Sequence, residues 1–310
     1  MAGWPEPLHH ILERASARFG ITRMTAVERL DAARQTGFVW TRQPGVVCQA
    51  ANRQYLAQAL ANPDVAAVIT TEEVSGPTEP PSHQCMICCA RPDELFHFLH
   101  LHQTIEPAHD ALTQHPTARV DPSALLRGEV TVGAGACIGP RVVVAGPAHI
   151  GAGVHIEAGA IIGCEGLYAK EIDGIRQHIP HFGAVRVGDG AYIHANAVIA
   201  RSAIRGEATT IGERAHVGIL ANVGHDAWIG HDATISSHVV IAGRARIGAH
   251  SWIGASAAIS NALTVGDHAK VRIGAIVVRD VPSHGDVSGN FAVDHMRTMR
   301  AFTRELRREN

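Results

Sequence analysis

Residues 118–279 predict a parallel β-helix, a chain wound into stacked three-walled coils, and three patterns carry that prediction. The first is an aliphatic residue at every sixth position. It runs through Val120, Leu126, Val132, Ile138, Val144, Ile150, Ile156 and Ile162, resumes at Val187, Ile193 and Ile199, and continues from Ile211 to Val277. The second is a small residue two positions before most of these, as at Ala136, Ala148, Ala160, Ala221, Ala227 and Ala245. The third is a glycine directly after many of them, as at Gly133, Gly151, Gly212, Gly230 and Gly248.

A helix of period 3.6 or a strand of period 2 would not space apolar residues this way. A triangular coil does. Each six-residue unit supplies one short strand and one corner, and three units close a turn. The aliphatic points into a narrow prism where only small residues fit beside it. Glycine or asparagine eases corners that need unusual backbone angles. Residues 18 apart then lie on adjacent coils, about 4.8 Å from each other. Arg205 alone interrupts the second series.

The remaining segments lack the period. Residues 1–104 carry mixed signals, with helices expected over Trp4–Arg18 and Gln54–Leu60 and strands over Ala66–Thr71 and Gln84–Ala90, so a small α/β domain is expected there. Residues 105–117, with Pro107 and Pro116, are expected to form a linker into a coil domain over 118–290. The break at 164–184 is expected as a loop thrown out from the coil wall, and loops on rigid scaffolds tend to carry function. Residues 291–310 are expected as a C-terminal helix with Met296, Met299, Phe302 and Leu306 on one face and arginines opposite.

Composition excludes several classes. A formal charge of −2 offers no electrostatic reason to bind nucleic acid. No apolar run nears the roughly 20 residues that span a bilayer, and Met1–Arg14 lacks a signal-peptide layout, so a cytoplasmic protein is expected. The six cysteines show no disulfide spacing. Cys85, Cys88 and Cys89 sit in an apolar string with no second ligand pair, which reads as a buried strand, and no metal site is expected.

Several strings resemble UDP-3-O-acylglucosamine N-acyltransferase, the enzyme that N-acylates the sugar precursor of lipid A. They are His115-Pro-Thr-Ala-Arg-Val-Asp-Pro-Ser-Ala124, Gly166-Leu-Tyr168 with Ile179-Pro-His-Phe-Gly183, Asn222-Val-Gly-His-Asp226, and Asn52-Arg-Gln-Tyr55. The resemblance covers roughly residues 38–290. It implies that the coil is left-handed, that the chain forms a homotrimer, and that His225 is the catalytic histidine. It further implies that Asn52 and Tyr55 contact the nucleotide, and that the donor is an acyl group on acyl carrier protein. The pair His225-Asp226 followed by Ala-Trp-Ile-Gly230 is more similar to bacterial sugar N-acetyltransferases that use acetyl-CoA. Three positions depart from the first family: Gln49 stands where it has a stacking aromatic, Ala262 where it has a histidine near the phosphates, and Asn222 where it has glutamine.

N-acylation needs a base for the attacking amine and a donor for the oxyanion. Histidine, with a reference pKa of about 6.5, suits the first role. A backbone N–H suits the second, and Gly243, 18 residues after His225, falls beside it on the next coil. Either Asp226 or Asn222 would orient the imidazole. Tyr168, His178, His194 and His216 are expected to line the groove. The function expected is acyl transfer, with acetyl-CoA favoured over acyl carrier protein as donor, onto the amine of a nucleotide-linked sugar, with no permanently bound cofactor. Two rival classes are a zinc carbonic anhydrase and a non-catalytic scaffold. The first conflicts with His225 and His231 being six apart, hence on different walls, and the second with the retained His225/Gly243 pair.

Overall fold

The computed structural model describes residues 3–104 and 109–289, together with Met296, Met299, Arg300 and Arg304. Apart from those four positions, the expected C-terminal helix lies outside the described residues, as do residues 105–108 of the expected linker.

The N-terminal part is a five-stranded sheet with helices on both faces. Its strands are β1 (Ile21–Thr25), β2 (Gln35–Gly37), β3 (Val46–Gln49), β4 (Val65–Thr70) and β5 (Cys85–Cys89), in the spatial order β1-β5-β4-β3-β2. All pairs are parallel except β1 with β5. Successive side chains of a strand face opposite ways. Val47, Ala67, Ile69 and Ile87 therefore pack under α1 (Leu8–Phe19) and the later helix Pro92–Leu101. Val46, Cys48, Val68 and Met86 pack under α2 (Arg53–Ala61). Burial on both faces explains why β4 and β5 read as continuous apolar runs. It also pushes the thiols of Cys48 and Cys85 up to about 12 and that of Cys89 to about 11, so these are core residues.

Residues 111–287 wind into a left-handed parallel β-helix whose three walls hold nine, eight and eight described strands. Val132, Ile138, Val144, Ile150, Ile156 and Ile162 fill the prism with Ala136, Ala148 and Ala160, and all are buried. Register follows the period: Val132 lies beside Ile150, Ile138 beside Ile156, and Asn222 beside Val240. The coil starts inside the expected linker. Ala111–Gln114 pairs with Glu129–Val132 and caps the first wall. The period does not reveal it because Gln114 stands where an aliphatic would.

Two corrections concern the corners. Apart from Gly163 (φ 85°), the glycines after the aliphatics do not supply left-handed angles. A Cβ at Gly212, Gly230 or Gly248 would sit 2.4–2.5 Å from a backbone nitrogen of the next coil, so glycine there permits close stacking. The left-handed angles fall two residues further on, at Arg214, Leu220, Asp226, Asp232, His238, Arg244, His250, Ser256, Ala262 and His268, all with φ between 53° and 63°. Furthermore, the coil holding Arg205 is six residues longer than the regular repeat, since Val187 pairs with Ile211, and Val198 with Asn222. The coil before it is longer still because it carries the 164–184 segment, Ile150 pairing with Val187.

The inserted segment 164–184 is docked on the N-terminal part. It forms a hairpin, Ala169–Ile172 with Ile175–His178. Ile172 is buried in the core under α1. Asp173 accepts hydrogen bonds from Arg18 Nε (2.6 Å) and Arg91 Nη1 (2.7 Å). Among the described residues no helix is long and apolar enough to cross a membrane.

Candidate functional site

His225 stands at the corner between strands Asn222–Val223 and Trp228–Ile229. Its Nδ1 lies 2.7 Å from Asp226 Oδ2. A carboxylate only accepts, so Nδ1 carries the proton and Nε2 keeps its lone pair. Asp226 is fixed from all sides. Its Oδ1 accepts from the Ser202 hydroxyl and from Ala203 N (3.2 Å), and its own N–H donates to Thr209 Oγ1 (2.8 Å). Ser202 and Ala203 belong to the six extra residues of the coil holding Arg205, so that insertion has a function in the local geometry: it brackets Asp226.

Asn222 takes no part in this arrangement. Its residue is exposed on the wall, and among the described residues the His225 ring hydrogen-bonds to Asp226 alone. Of the two orienting groups the sequence left open, the structure pairs Asp226 with the imidazole.

Gly243 lies where the 18-residue offset puts it. A Cβ there would fall 2.7 Å from His225 Nε2, so only glycine leaves room for the ring. The Arg244 N–H donates to the His225 carbonyl (2.8 Å), which ties the two coils together at this point. Among the described residues the Gly243 N–H has no acceptor.

The inserted segment closes over the histidine. Tyr168 stacks on its ring, centroids 4.9 Å apart and planes 16° from parallel. His181 meets it edge-on at 5.1 Å. His181 Nε2 accepts from Gly166 N (3.3 Å), so Nδ1 carries the proton, and that buried Nδ1 has no partner among the described residues. Burial, with the neighbouring His225, pushes His181 down to about 4 and keeps it neutral. His178 contacts Glu165 (2.6 Å) and stacks near His181, placing it in the second layer around His225.

Tyr168 also connects the corner to the N-terminal part. His97 Nδ1 donates to the Asp93 carbonyl (2.7 Å), so His97 Nε2 accepts from the Tyr168 hydroxyl (2.6 Å). Burial lowers His97 and raises Tyr168 to about 12, so both are neutral. His97 and Tyr168 border a cavity of about 170 Å³ whose other walls include Phe38, Trp40, Gln49 and Tyr55. A second cavity of about 500 Å³ shares Phe38, Trp40, Tyr55 and Arg244 with it and extends to Asp226, Trp228 and Ala262. The two cavities thus adjoin along shared walls, and the larger one reaches from the aromatic patch to Asp226, the partner of His225.

Tyr55 joins that patch, 6.4 Å from Trp40, which itself stacks on Phe38 at 5.0 Å. Asn52 does not line the cavity. Its Oδ1 accepts from Tyr55 N (2.9 Å) and caps α2, so it holds Tyr55 in place. His194 and His216 are not brought to His225 within this chain. They sit on another wall with Tyr192, whose ring lies 4.5 Å and 5.6 Å from theirs, and Glu157 accepts from the Tyr192 hydroxyl. Strands Tyr192–Ile193 and His216–Val217 belong to a different sheet from Asn222–Val223, and the prism turns the two faces apart.

Sequence reasoning missed Trp40, Phe38, His97, Ser202, His181 and Arg244. Two of these carried a usable signal: Trp40 lies in an aromatic pair shortly before Gln49, and Arg244 falls 18 residues after Asp226. Two groups among the described residues bring three potential metal ligands within 4.8 Å of one another: Glu165, His178 and His181, and His231, Asp232 and His250. In the second, Arg214 already grips Asp232 through two N–H groups at 2.7 and 2.8 Å. His225 belongs to neither.

No family model matches the chain. A UDP-3-O-acylglucosamine N-acyltransferase of Janthinobacterium sp. (strain Marseille) is 29% identical over 191 residues, which cover 57% of this chain and 54% of that protein. One of Pseudomonas paraeruginosa is 40% identical over 72 residues, 23% of this chain and 20% of that protein. The carnitine operon protein CaiE of Escherichia coli K12 is 38% identical over 106 residues, 31% of this chain and 52% of that protein. The chain therefore spans about half or less of the curated relatives it matches. Among solved structures, the UDP-N-acetylglucosamine acyltransferase of Francisella novicida has a TM-score of 0.49 at 22% identity, covering 62% of this chain and 72% of that one. The chain is a hexapeptide-repeat protein that resembles UDP-3-O-acylglucosamine N-acyltransferase.

Proposed function

We infer that the chain is an acyltransferase that moves an acyl group from a pantetheine thioester to the amine of a nucleotide-linked amino sugar. The observation that carries the reading is the His225–Asp226 pair, bracketed by Ser202 and Ala203 and set against Gly243 at one end of an aromatic-lined cleft. The matched proteins named as acyltransferases support the same reaction class.

His225 Nε2 takes the proton as the sugar amine attacks the thioester carbonyl. The imidazolium that forms is stabilised by Asp226, which also fixes the reactive tautomer. The oxyanion is met by the free N–H of Gly243, and the missing side chain lets the thioester approach. Collapse of the tetrahedral intermediate expels the thiolate, which takes up a proton. Tyr55 and Trp40 offer flat faces for the nucleotide base, with Trp40 supplying the aromatic surface that Gln49 lacks. We place the reaction in the cytoplasm, where pantetheine thioesters occur, and in a homotrimer, for which the exposed apolar side chains of Val240 and Ile276 on one wall of the coil offer a contact surface.

Acetyl-CoA is the donor we favour, because the His225-Asp226 string resembles that of sugar N-acetyltransferases using acetyl-CoA and the two side chains are in contact at 2.7 Å. Acyl carrier protein is the second reading, favoured by the names of the matched relatives. The deciding experiment is melting temperature against UDP-, dTDP- and GDP-sugars, acetyl-CoA and acyl-loaded carrier protein, followed by turnover of His225→Ala with whichever pair stabilises the protein. A loss of turnover of a hundred-fold or more is expected, on the order reported for removal of a general base. Turnover within a few-fold of wild type would end the mechanism.

A further inference from the structure

We propose that Arg244 is the anion anchor of the cleft and takes the pyrophosphate group that nucleotide sugars and coenzyme A share. The inference rests on the acyltransferase reading above and names the group that reading leaves without a partner.

The position is defined by the coil. Arg244 occupies the left-handed corner one coil after Asp226, with φ of 63°, and is half-buried. Its side chain borders both cavities, so it stands where the aromatic patch meets the His225 corner. Among the described residues its guanidinium makes neither a hydrogen bond nor an ion pair.

Another corner arginine shows what is missing. Arg214 is gripped by Asp232, the corner residue 18 positions on, through two N–H groups at 2.7 and 2.8 Å. The residue 18 positions after Arg244 is Ala262, which offers no carboxylate and lines the same cavity. The coil thus builds at Arg244 the cationic half of a pair and leaves its partner's place open toward the cleft.

Nearby carboxylates do not fill that place. Both oxygens of Asp226 are engaged, Oδ2 with His225 Nδ1 and Oδ1 with Ser202 and Ala203 N. Asp93 holds Lys170 at 3.0 Å. Glu207 lines the larger cavity, with Arg246 as a second cation along it. The charges of the cleft therefore balance, and what selects an anion is the unpaired planar fork of Arg244. A guanidinium presents paired N–H groups that match two phosphoryl oxygens at once.

The order along the cleft identifies the anion. A flat-ring patch lies on one side of Arg244 and the acyl-transfer corner on the other. A nucleoside diphosphate sugar has the same order: base, pyrophosphate, reacting amine. Coenzyme A also carries a pyrophosphate, between its adenosine and its thiol arm, so the test separates the two.

The full chain is titrated calorimetrically with UDP, uridine and coenzyme A, as wild type, Arg244→Gln and Ala262→Asp. Wild type is expected to bind UDP roughly ten- to a hundred-fold more tightly than uridine, the range for hydrogen bonds to a charged group. Arg244→Gln should abolish that difference while leaving uridine binding unchanged. Ala262→Asp should do the same with the arginine still present, by giving it the partner that Arg214 has. Since the guanidinium bonds to nothing described, both variants should melt close to wild type. Loss confined to UDP assigns the acceptor's pyrophosphate, and loss confined to coenzyme A assigns the donor's. Unchanged affinity for both ligands in Arg244→Gln overturns the proposal and leaves the acyltransferase reading standing. Wild type binding none of the ligands overturns both.

Discussion

Tyr168 lies flat on His225, with ring centroids 4.9 Å apart, and its hydroxyl reaches His97 in the N-terminal part at 2.6 Å. One side chain of the inserted hairpin thus contacts both the candidate base and the domain that holds the aromatic patch. The hairpin is itself pinned by Ile172 in that domain's core and by Asp173 between Arg18 and Arg91. The ring that covers His225 is therefore positioned by the N-terminal part and not by the coil. Tyr168→Phe keeps the stack and loses the hydroxyl, so kcat should stay within about three-fold, the loss of one modest hydrogen bond. Tyr168→Ala removes the stack, and kcat should fall roughly ten-fold or more as the imidazole gains freedom. Steady-state kinetics of the two variants checks this, and equal losses would contradict it.

Asp226→Asn tests the orienting group at nearly constant size. The amide can present its N–H to Nδ1 and favour the wrong tautomer. In comparable triads that change costs about 10⁴ in kcat, so a fall of at least a hundred-fold is expected here. Ser202→Ala removes only the hydroxyl that holds Oδ1, while Ala203 N remains. Its loss should be smaller, about ten-fold, and should come with a displaced pH–rate profile that a purely structural residue would not produce. Turnover of both variants across pH 5–9 distinguishes the two roles.

Gly243→Ala separates the space argument from a backbone argument. Gly243 is absent from the positive-φ glycines, so alanine meets no conformational penalty there. Its Cβ, however, would lie 2.7 Å from Nε2 and 3.0 Å from Cε1 of His225. The imidazole must move or the methyl must, and the ring is held by Asp226 on one side and Tyr168 on a face. Activity should drop by about two orders of magnitude, the scale of a small misplacement of a reacting group. The melting temperature should change by only a few degrees. A variant of near-normal activity would show that thioester and glycine do not meet.

How much of this was legible depended on whether the repeat or the third dimension encoded it. The period fixed the interior of the coil because each aliphatic faces the prism whatever its neighbours are. The same arithmetic placed Gly243 against His225, since no insertion separates those two coils. It failed at Ser202 for a specific reason. The extra segment is six residues long, equal to the repeat itself, so Ile211 and later aliphatics keep their phase and only Arg205 hints at the insertion. It also failed at Gln114, a strand residue without the aliphatic mark. Tyr168, His97 and Trp40 meet through the docking of separate segments, a relation that spacing along the chain does not record. His194 and His216, expected to line the groove, sit beside Tyr192 on a different wall from His225 within this chain, a relation that residue type alone does not record.

Two buried histidines give the fold a defined acid sensitivity. His100 accepts from Thr36 Oγ1 (2.6 Å) and donates to the Pro180 carbonyl (2.9 Å), joining the N-terminal part to the inserted segment. Burial pushes it down to about 4, and His181 likewise. In the unfolded chain both titrate near 6.5. Between these values the unfolded state binds more protons than the folded one, so stability falls as pH drops. It is fully present above about pH 6.5 and declines through the interval to about pH 4, by up to about 3 kcal/mol for each residue, at 1.36 kcal/mol per pKa unit. Urea denaturation at pH 7 and pH 4.5 should show the loss, although carboxylates such as Asp173, held low by Arg91 and Arg18, add to it near the acid end. The His100→Asn variant isolates one share. It should be less stable than wild type at pH 7, where the His100 bonds are intact, and should lose less on acidification. A variant whose stability falls as steeply with pH as wild type would mean that His100 takes up its proton without unfolding the contact to Pro180.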